Sequence, residues 1–352
     1  MKVDLHAYQT HVFLDWKDLH SDAAHPWGEL CDSLGARGVS SLDDALRDLQ
    51  LKPVHQALRA ILEPANAEAL ANCSKSGDGV DQRSRVTTIL DTLNHRLGIL
   101  LAEVEHYLDA RSGEAAIISD KNRKSEAAQA QKGAIERLQA ALKFEALGTN
   151  KELEWPIEAK AVLPLTGSPK AQRMALWTTV LGWCAVEAIG KARDGKDPTA
   201  AARAFDVLRL RGPLAEAFAA MGIEGEERWR AAARVRASFQ HAAHANAPYT
   251  WTHDPDAAWV IGAHQFEGVS YVAAEQFERL LWWMALRTFL DVMTQPRPEL
   301  RRIDAIAEEV RRILEIVEGE SWRVESLQDA ALPVPVSDES KEQKEENIER
   351  RS

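Results

Sequence analysis

The sequence predicts a mainly α protein: a multi-helix, bundle-like domain with a short N-terminal β-strand or hairpin stub and a disordered C-terminal tail. Three observations carry that expectation. From Pro26 onward apolar residues recur at the three- and four-residue spacing of a helix face. The alternation of apolar and polar residues that marks a half-buried strand is clearest in the first nineteen residues. The final segment, SDESKEQKEENIERRS, is charged and free of aromatic residues, so residues 333–352 cannot offset the entropy lost on ordering.

In residues 1–19, Val3, Leu5 and Ala7, then Val12, Leu14 and Trp16, alternate with polar neighbours, and Val12-Phe13-Leu14 is a β-prone run. An isolated hairpin is marginal in water. This stub is therefore expected either to pack on a helix or to be the end of a β-domain whose remainder lies outside the chain.

Residues 20–73 read as a subdomain of short, Pro-punctuated helices. Pro26 suits a first helical position, and Gly35 or Gly38 a stop. Ser40-Ser41 then caps a helix with Asp43 and Asp44 in its first turn and Leu42, Ala45, Leu46 and Leu49 on one face. Pro53 is expected to start a separate helix with Val54, Leu58, Ile61 and Leu62 inward, ended by Pro64.

Residues 86–147 form a long-helix region between polar stretches read as flexible linkers, 74–85 and 111–131. Its first helix, from Val86 to Leu108, has Leu93, Leu97, Leu100 and Val104 at helical spacing; its second runs from Lys132 to Leu147.

The main helical domain is expected over 155–330. Ala171 to Lys191 is apolar around most of its surface and should be central. Ala200–Met221 and Glu226–His244 read as Ala-rich helices. Asp254-Pro255-Asp256 caps a short helix or turn, and Val269–Val272 reads as a tiny strand. Glu275–Met293 is a second central helix stopped by Pro296 and Pro298, and Glu299–Val317 is amphipathic.

Composition narrows the function. The 352 residues hold 43 Lys+Arg against 54 Asp+Glu, a formal net charge of −11, which disfavours a nucleic-acid partner. No stretch reaches the roughly 18–20 apolar residues of a membrane span. Met1-Lys2-Val3-Asp4-Leu5-His6 also lacks the apolar core of a signal peptide, so no membrane contact and a cytoplasmic location are expected. Cys31, Cys73 and Cys184 are too few and too scattered for a disulfide framework or a zinc site.

No metal and no cofactor are expected. His241 and His244 lie three apart, with His253 and His264 downstream, but the Glu of an H-E-x-x-H arrangement is absent. Nucleophile-elbow, dinucleotide and P-loop signatures are missing as well. The acid pairs Asp43-Asp44 and Glu226-Glu227 sit at helix starts, where the helix dipole accounts for them. Among the 11 Trp, Trp282 and Trp283 point about 100° apart on one helix, so at least one belongs to the core with Trp177 and Trp183. Trp251 and Trp259 are left as sugar-contact candidates.

The residues also carry a resemblance. VDLHAYQTHVFLDWKDLH followed by GARGVSSLDDALRDLQLKPVHQALRAIL resembles the passage after the catalytic barrel in a bacterial branch of α-amylase-like proteins of glycoside hydrolase family thirteen. There, a closing strand ending in a "YHVFLDFRE"-like phrase leads into "GRGVPSIEEALRELFLQPVH". LWTTVLGWCAVEAIGK and DPDAAWVIGAHQFEGVSYVAAEQFERLLWWMALRTFL are similar to the helical C-terminal region of that branch. The likeness runs with gaps from about residue 1 to 330. It departs at Ala273-Ala274, where the family's phrase has Asn-Lys.

The resemblance implies a non-catalytic helical C-terminal region of an enzyme acting on α-glucans such as starch or glycogen, inactive alone because truncated or split from its barrel. The family hydrolyses with an Asp nucleophile, a Glu acid/base and a further Asp on barrel strands, and retention needs two carboxyls about 5–5.5 Å apart. Asp22-Ala23-Ala24-His25 and His253-Asp254 echo family motifs only by chance. The implied partners are a catalytic barrel polypeptide or an α-glucan. The competing expectation is a free-standing interaction module whose edge strand, Val12, Phe13 and Leu14, recruits a partner by strand addition; an all-α enzyme with an unfamiliar site is a third.

Overall fold

The computed structural model describes residues 18–22, 25–35, 37–73, 80–112, 120–147, 170–195, 197–240, 247–295, 297 and 299–328. The N-terminal strand with Val12, Phe13 and Leu14, the tail 333–352, and His241 and His244 lie outside them. Within them the protein is mainly α.

The first helices are α1 (Trp27–Leu34), α2 (Leu42–Ile61) and α3 (Pro64–Cys73). Ser41 caps α2 by accepting a hydrogen bond from the Asp44 amide at 3.2 Å. The expected break at Pro53 does not occur: α2 is one helix with Pro53 inside it. Proline removes the bond to the Leu49 carbonyl and crowds that oxygen, a local cost that the packing of α2 outweighs. Its ring lies on the exposed side, while Leu51, Val54 and Leu58 are buried on either side of it and hold the helix together. Pro64 opens α3 rather than merely ending α2. The carboxamide of Asn66 turns back to donate to the carbonyls of Ala60 and Ile61 at 2.9 and 2.8 Å, satisfying the end of α2.

Helices α4 (Val80–Ser112) and α5 (Asp120–Leu147) are longer than the apolar pattern suggests. Much of the expected linkers 74–85 and 111–131 is therefore helical. The polar run from Asp120 to Gln131 is mostly Ala, Lys, Arg, Gln and Glu, good helix formers that need no apolar face. Gln131 fastens it to α4, donating to the carbonyl and side-chain oxygens of Asn94 at 2.7 and 2.9 Å.

Helix α6 (Lys170–Asp194) is central as expected: every residue from Leu176 to Gly190 is buried, and α3, α5 and α7 (Ala200–Val207) pack on it. Thr178 and Thr179, within this apolar stretch, spend their hydroxyls on the carbonyls of Met174 and Ala175. The crossing with α7 depends on Gly190, because a Cβ there would sit 2.6 Å from the Ala201 nitrogen and 2.7 Å from its Cα. Gly190→Ala should gain helix propensity yet lose stability by about 1–3 kcal/mol from overpacking, read by urea unfolding.

The expected helix Ala200–Met221 is two, α7 and α8 (Arg211–Ala220), joined by a turn in which Arg209 adopts a left-handed φ of 51°. In one continuous helix the Pro213 ring would meet the Arg209 carbonyl. The break places Pro213 in the first turn of α8, where its missing N–H costs nothing.

There follow α9 (Gly225–Gln240), α10 (Ala247–Trp251), α11 (Pro255–Val260), the hairpin β1 (His264–Phe266) and β2 (Val269–Tyr271), α12 (Ala274–Met293), α13 (Leu300–Gly319) and a 3-10 turn, Val324–Gln328. The hairpin pairs His264 with Tyr271 and Phe266 with Val269. Its two-residue loop has positive φ at Glu267 (49°) and Gly268 (81°), the geometry of a tight primed turn. Strand β1 is a finding of the structure, since the pattern marked only its partner. Helix α12 packs on α5 and α13, and α13 buries Ile303, Ile306, Val310, Ile313 and Val317, a face at 3-4 spacing. One contiguous apolar core runs through these helices, from Leu51 on α2 to Leu327 in the last turn. Among the described residues no helix is long and apolar enough to cross a membrane.

Candidate functional site

Among the described residues, five tryptophans are buried in the core. Trp183 of α6 meets Trp283 of α12 edge to face, ring centroids 5.6 Å apart and planes at 80°. Trp177 and Trp282 are buried as well. Trp251 is 0% exposed and packs on Phe277 at 5.7 Å, with Trp322 against the same phenyl ring at 6.2 Å. Full burial leaves its indole no face for a sugar ring, which corrects the expectation that Trp251 is a contact residue. Trp259 is half-buried. Its Nε1 donates to Glu226 at 3.0 Å, and the Arg230 guanidinium lies 5.3 Å from its ring centroid. The two candidates are thus placed differently, one inside the core and one in a surface trio of Trp, Arg and Glu.

Charge is organised around two arginines. Arg137 of α5 binds Glu187 of α6 through Nε at 3.0 Å and Asp291 of α12 through Nη2 at 2.5 Å, tying three helices together. Lys191 and Arg287 also face Glu187, at 3.0 and 3.9 Å. Burial pushes the Glu187 carboxyl up, but Arg137, Arg287 and Lys191 outweigh it and hold the group down at about 2. Cys184, buried beside this cluster, has its thiol pushed up to about 12 by burial. It stays protonated and is not a nucleophile.

The second arginine, Arg236 of α9, binds Asp206 at 2.8 Å, Asp254 at 3.1 Å and Asp256 at 3.3 Å. Asp254 also caps α11, accepting from the amides of Asp256 and Ala257 at 3.0 and 2.8 Å. The His253-Asp254 echo is therefore a helix cap with an arginine partner. Asp22 likewise accepts from the His25 amide at 2.6 Å in a local turn. His253 and His264 lie against the carbonyls of Tyr249 and Gly262. Among the described residues no three His, Cys, Asp or Glu side chains gather as a metal-holding group.

A cleft of about 860 Å³ opens between α1 and α2 on one side and α7 and α8 on the other. His55 stands in its wall and donates Nε2–H to the Leu208 carbonyl at 2.8 Å, an acceptor that fixes the tautomer and leaves Nδ1 as an acceptor. Burial lowers the His55 pKa below its ordinary value, so the ring is neutral at pH 7. Left-handed Arg209 is held at the rim by Asp48, at 2.9 Å, and by Asp44. A smaller cleft of about 340 Å³ lies by Trp283, Glu227, Arg234 and Arg279. The larger cleft is not legible in the sequence, because His55 and Leu208 are 153 residues apart and no local spacing joins them.

No protein-family model, curated protein or solved structure matches this chain.

Proposed function

We propose that this all-α body is the non-catalytic helical region of an α-amylase-like glycoside hydrolase of family thirteen, supporting or extending a catalytic barrel that acts on an α-glucan. The ordered series of family-like phrases, from VDLHAYQTHVFLDWKDLH to AEQFERLLWWM, suggests the relationship. The observation that carries the non-catalytic role is the commitment of the buried acids. Glu187 and Asp254, the two buried carboxylates among the described residues, are both bound by arginines that join helices. A glycosidase acid needs a raised pKa in a cation-free pocket, whereas Glu187 is held near 2. These acids serve as struts.

A chromogenic maltoside is the direct probe. The purified 352-residue chain is expected to release no chromophore. Turnover that disappears when an Asp or Glu within 1–352 is replaced would overturn the non-catalytic role.

A further inference from the structure

Charge bookkeeping in the large cleft leaves an imbalance. Three carboxylates line it, and each has an arginine: Asp48 binds Arg209 at 2.9 Å, Asp206 binds Arg236 at 2.8 Å, and Glu216 binds Arg59 at 2.7 Å. Five cations line it. Arg59 and Arg209 are matched by those acids, and Arg211 by Asp256. The other two are not matched. Arg37 donates only to the Ser33 and Leu34 carbonyls, at 3.2 and 3.5 Å, and Lys52 makes no hydrogen bond or ion pair among the described residues. Two uncompensated positive charges thus face one concavity of a chain whose net charge is −11.

We infer that this cleft binds a phosphate monoester of a small hydroxylated molecule, with Arg37 and Lys52 holding the phosphate. The volume lies within the roughly 300–1,000 Å³ of small-molecule sites. A phosphate monoester carries about −1.5 to −2 charges at neutral pH, which answers two cations where a single carboxylate answers one. The guanidinium fork of Arg37 keeps donors beyond those used on the α1 carbonyls. The rest of the wall suits a polar body with one apolar side. The Asp48–Arg209 and Glu216–Arg59 pairs offer acceptors and donors to hydroxyls, Nδ1 of His55 offers another acceptor, and exposed Val39 and half-buried Leu49 supply apolar surface.

Isothermal titration of the full chain with glucose 6-phosphate, inorganic phosphate, glucose and succinate tests this. Glucose 6-phosphate should bind more tightly than the other three, and more weakly as salt rises. Lys52→Ala and Arg37→Ala should each weaken it roughly tenfold or more, the loss of one charge-assisted contact. Lys52→Arg should retain it. Both positions are exposed, so an unchanged Tm verifies that the variants fold. No heat from glucose 6-phosphate, equal affinity for glucose, inorganic phosphate or succinate, or binding that survives both alanine substitutions would each overturn the assignment.

Discussion

Glu187→Ala is expected to destabilise the protein by about 3–5 kcal/mol, because it leaves a buried arginine without the carboxylate that answers it. Arg137 would keep Asp291, but Asp291 is 39% exposed and cannot enclose the guanidinium as Glu187 does. Arg137 Nη1 already has no partner among the described residues, so the site has no spare acceptor. Lys191 and Arg287 would meanwhile lose their shared carboxylate, leaving three cations around the partly exposed Asp291 alone. The double change Arg137→Met/Glu187→Leu should cost less than Glu187→Ala, since it removes both charges and fills the space with apolar atoms. Urea unfolding at pH 7 reads both. Equal stability of Glu187→Ala and the parent chain would show that the cluster contributes nothing.

The same carboxyl makes stability depend on acid. Its folded pKa, near 2, lies below the ordinary value of 4.5, so the unfolded chain takes up a proton there before the folded one does. The contribution of Glu187 is complete above about pH 4.5 and is lost as pH falls toward 2. The stability difference between the parent and Glu187→Gln should therefore shrink as pH falls through that window.

Trp251→Ala is expected to cost about 3–5 kcal/mol, the loss of a large buried aromatic with a cavity left behind. The indole is fully buried against Phe277, at the junction of α10 and α12. Its Nε1 has no hydrogen-bond partner among the described residues, so Trp251→Phe should be much milder: it keeps a ring in place and removes an unsatisfied donor. Thermal and urea unfolding of both variants measure this. Unchanged stability combined with lost affinity for maltoheptaose would return Trp251 to the role of a sugar contact.

Periodic, capped segments were legible in the sequence. The apolar girth of α6, the 3-4 stripe of α13 and the caps at Ser41 and Asp254 are local signals, and the structure has each of them. Proline misled in both directions. Pro53 looked like a helix start but rides inside α2, where neighbouring Leu and Val side chains grip the core. Pro213 lies inside the stretch read as a single helix, Ala200–Met221, and coincides with the split between α7 and α8. The polar start of α5 was hidden because exposed helix needs propensity rather than an apolar stripe. The charged sites were not legible at all. Arg137 and Glu187 are 50 residues apart, and the walls of the cleft come from segments some 150 residues apart. Only the packing of α5 on α6, and of α2 against α8, brings them together.

The proposal that this body supports a family-thirteen barrel is tested most directly by reading the frames that neighbour its gene and, with any barrel polypeptide they encode, running sedimentation velocity of its mixture with the full 39.1 kDa chain. The account predicts a single one-to-one complex at micromolar concentration, with the barrel melting at a higher temperature inside it than alone. Two species that sediment independently, or neighbouring frames that encode no such barrel, would contradict it.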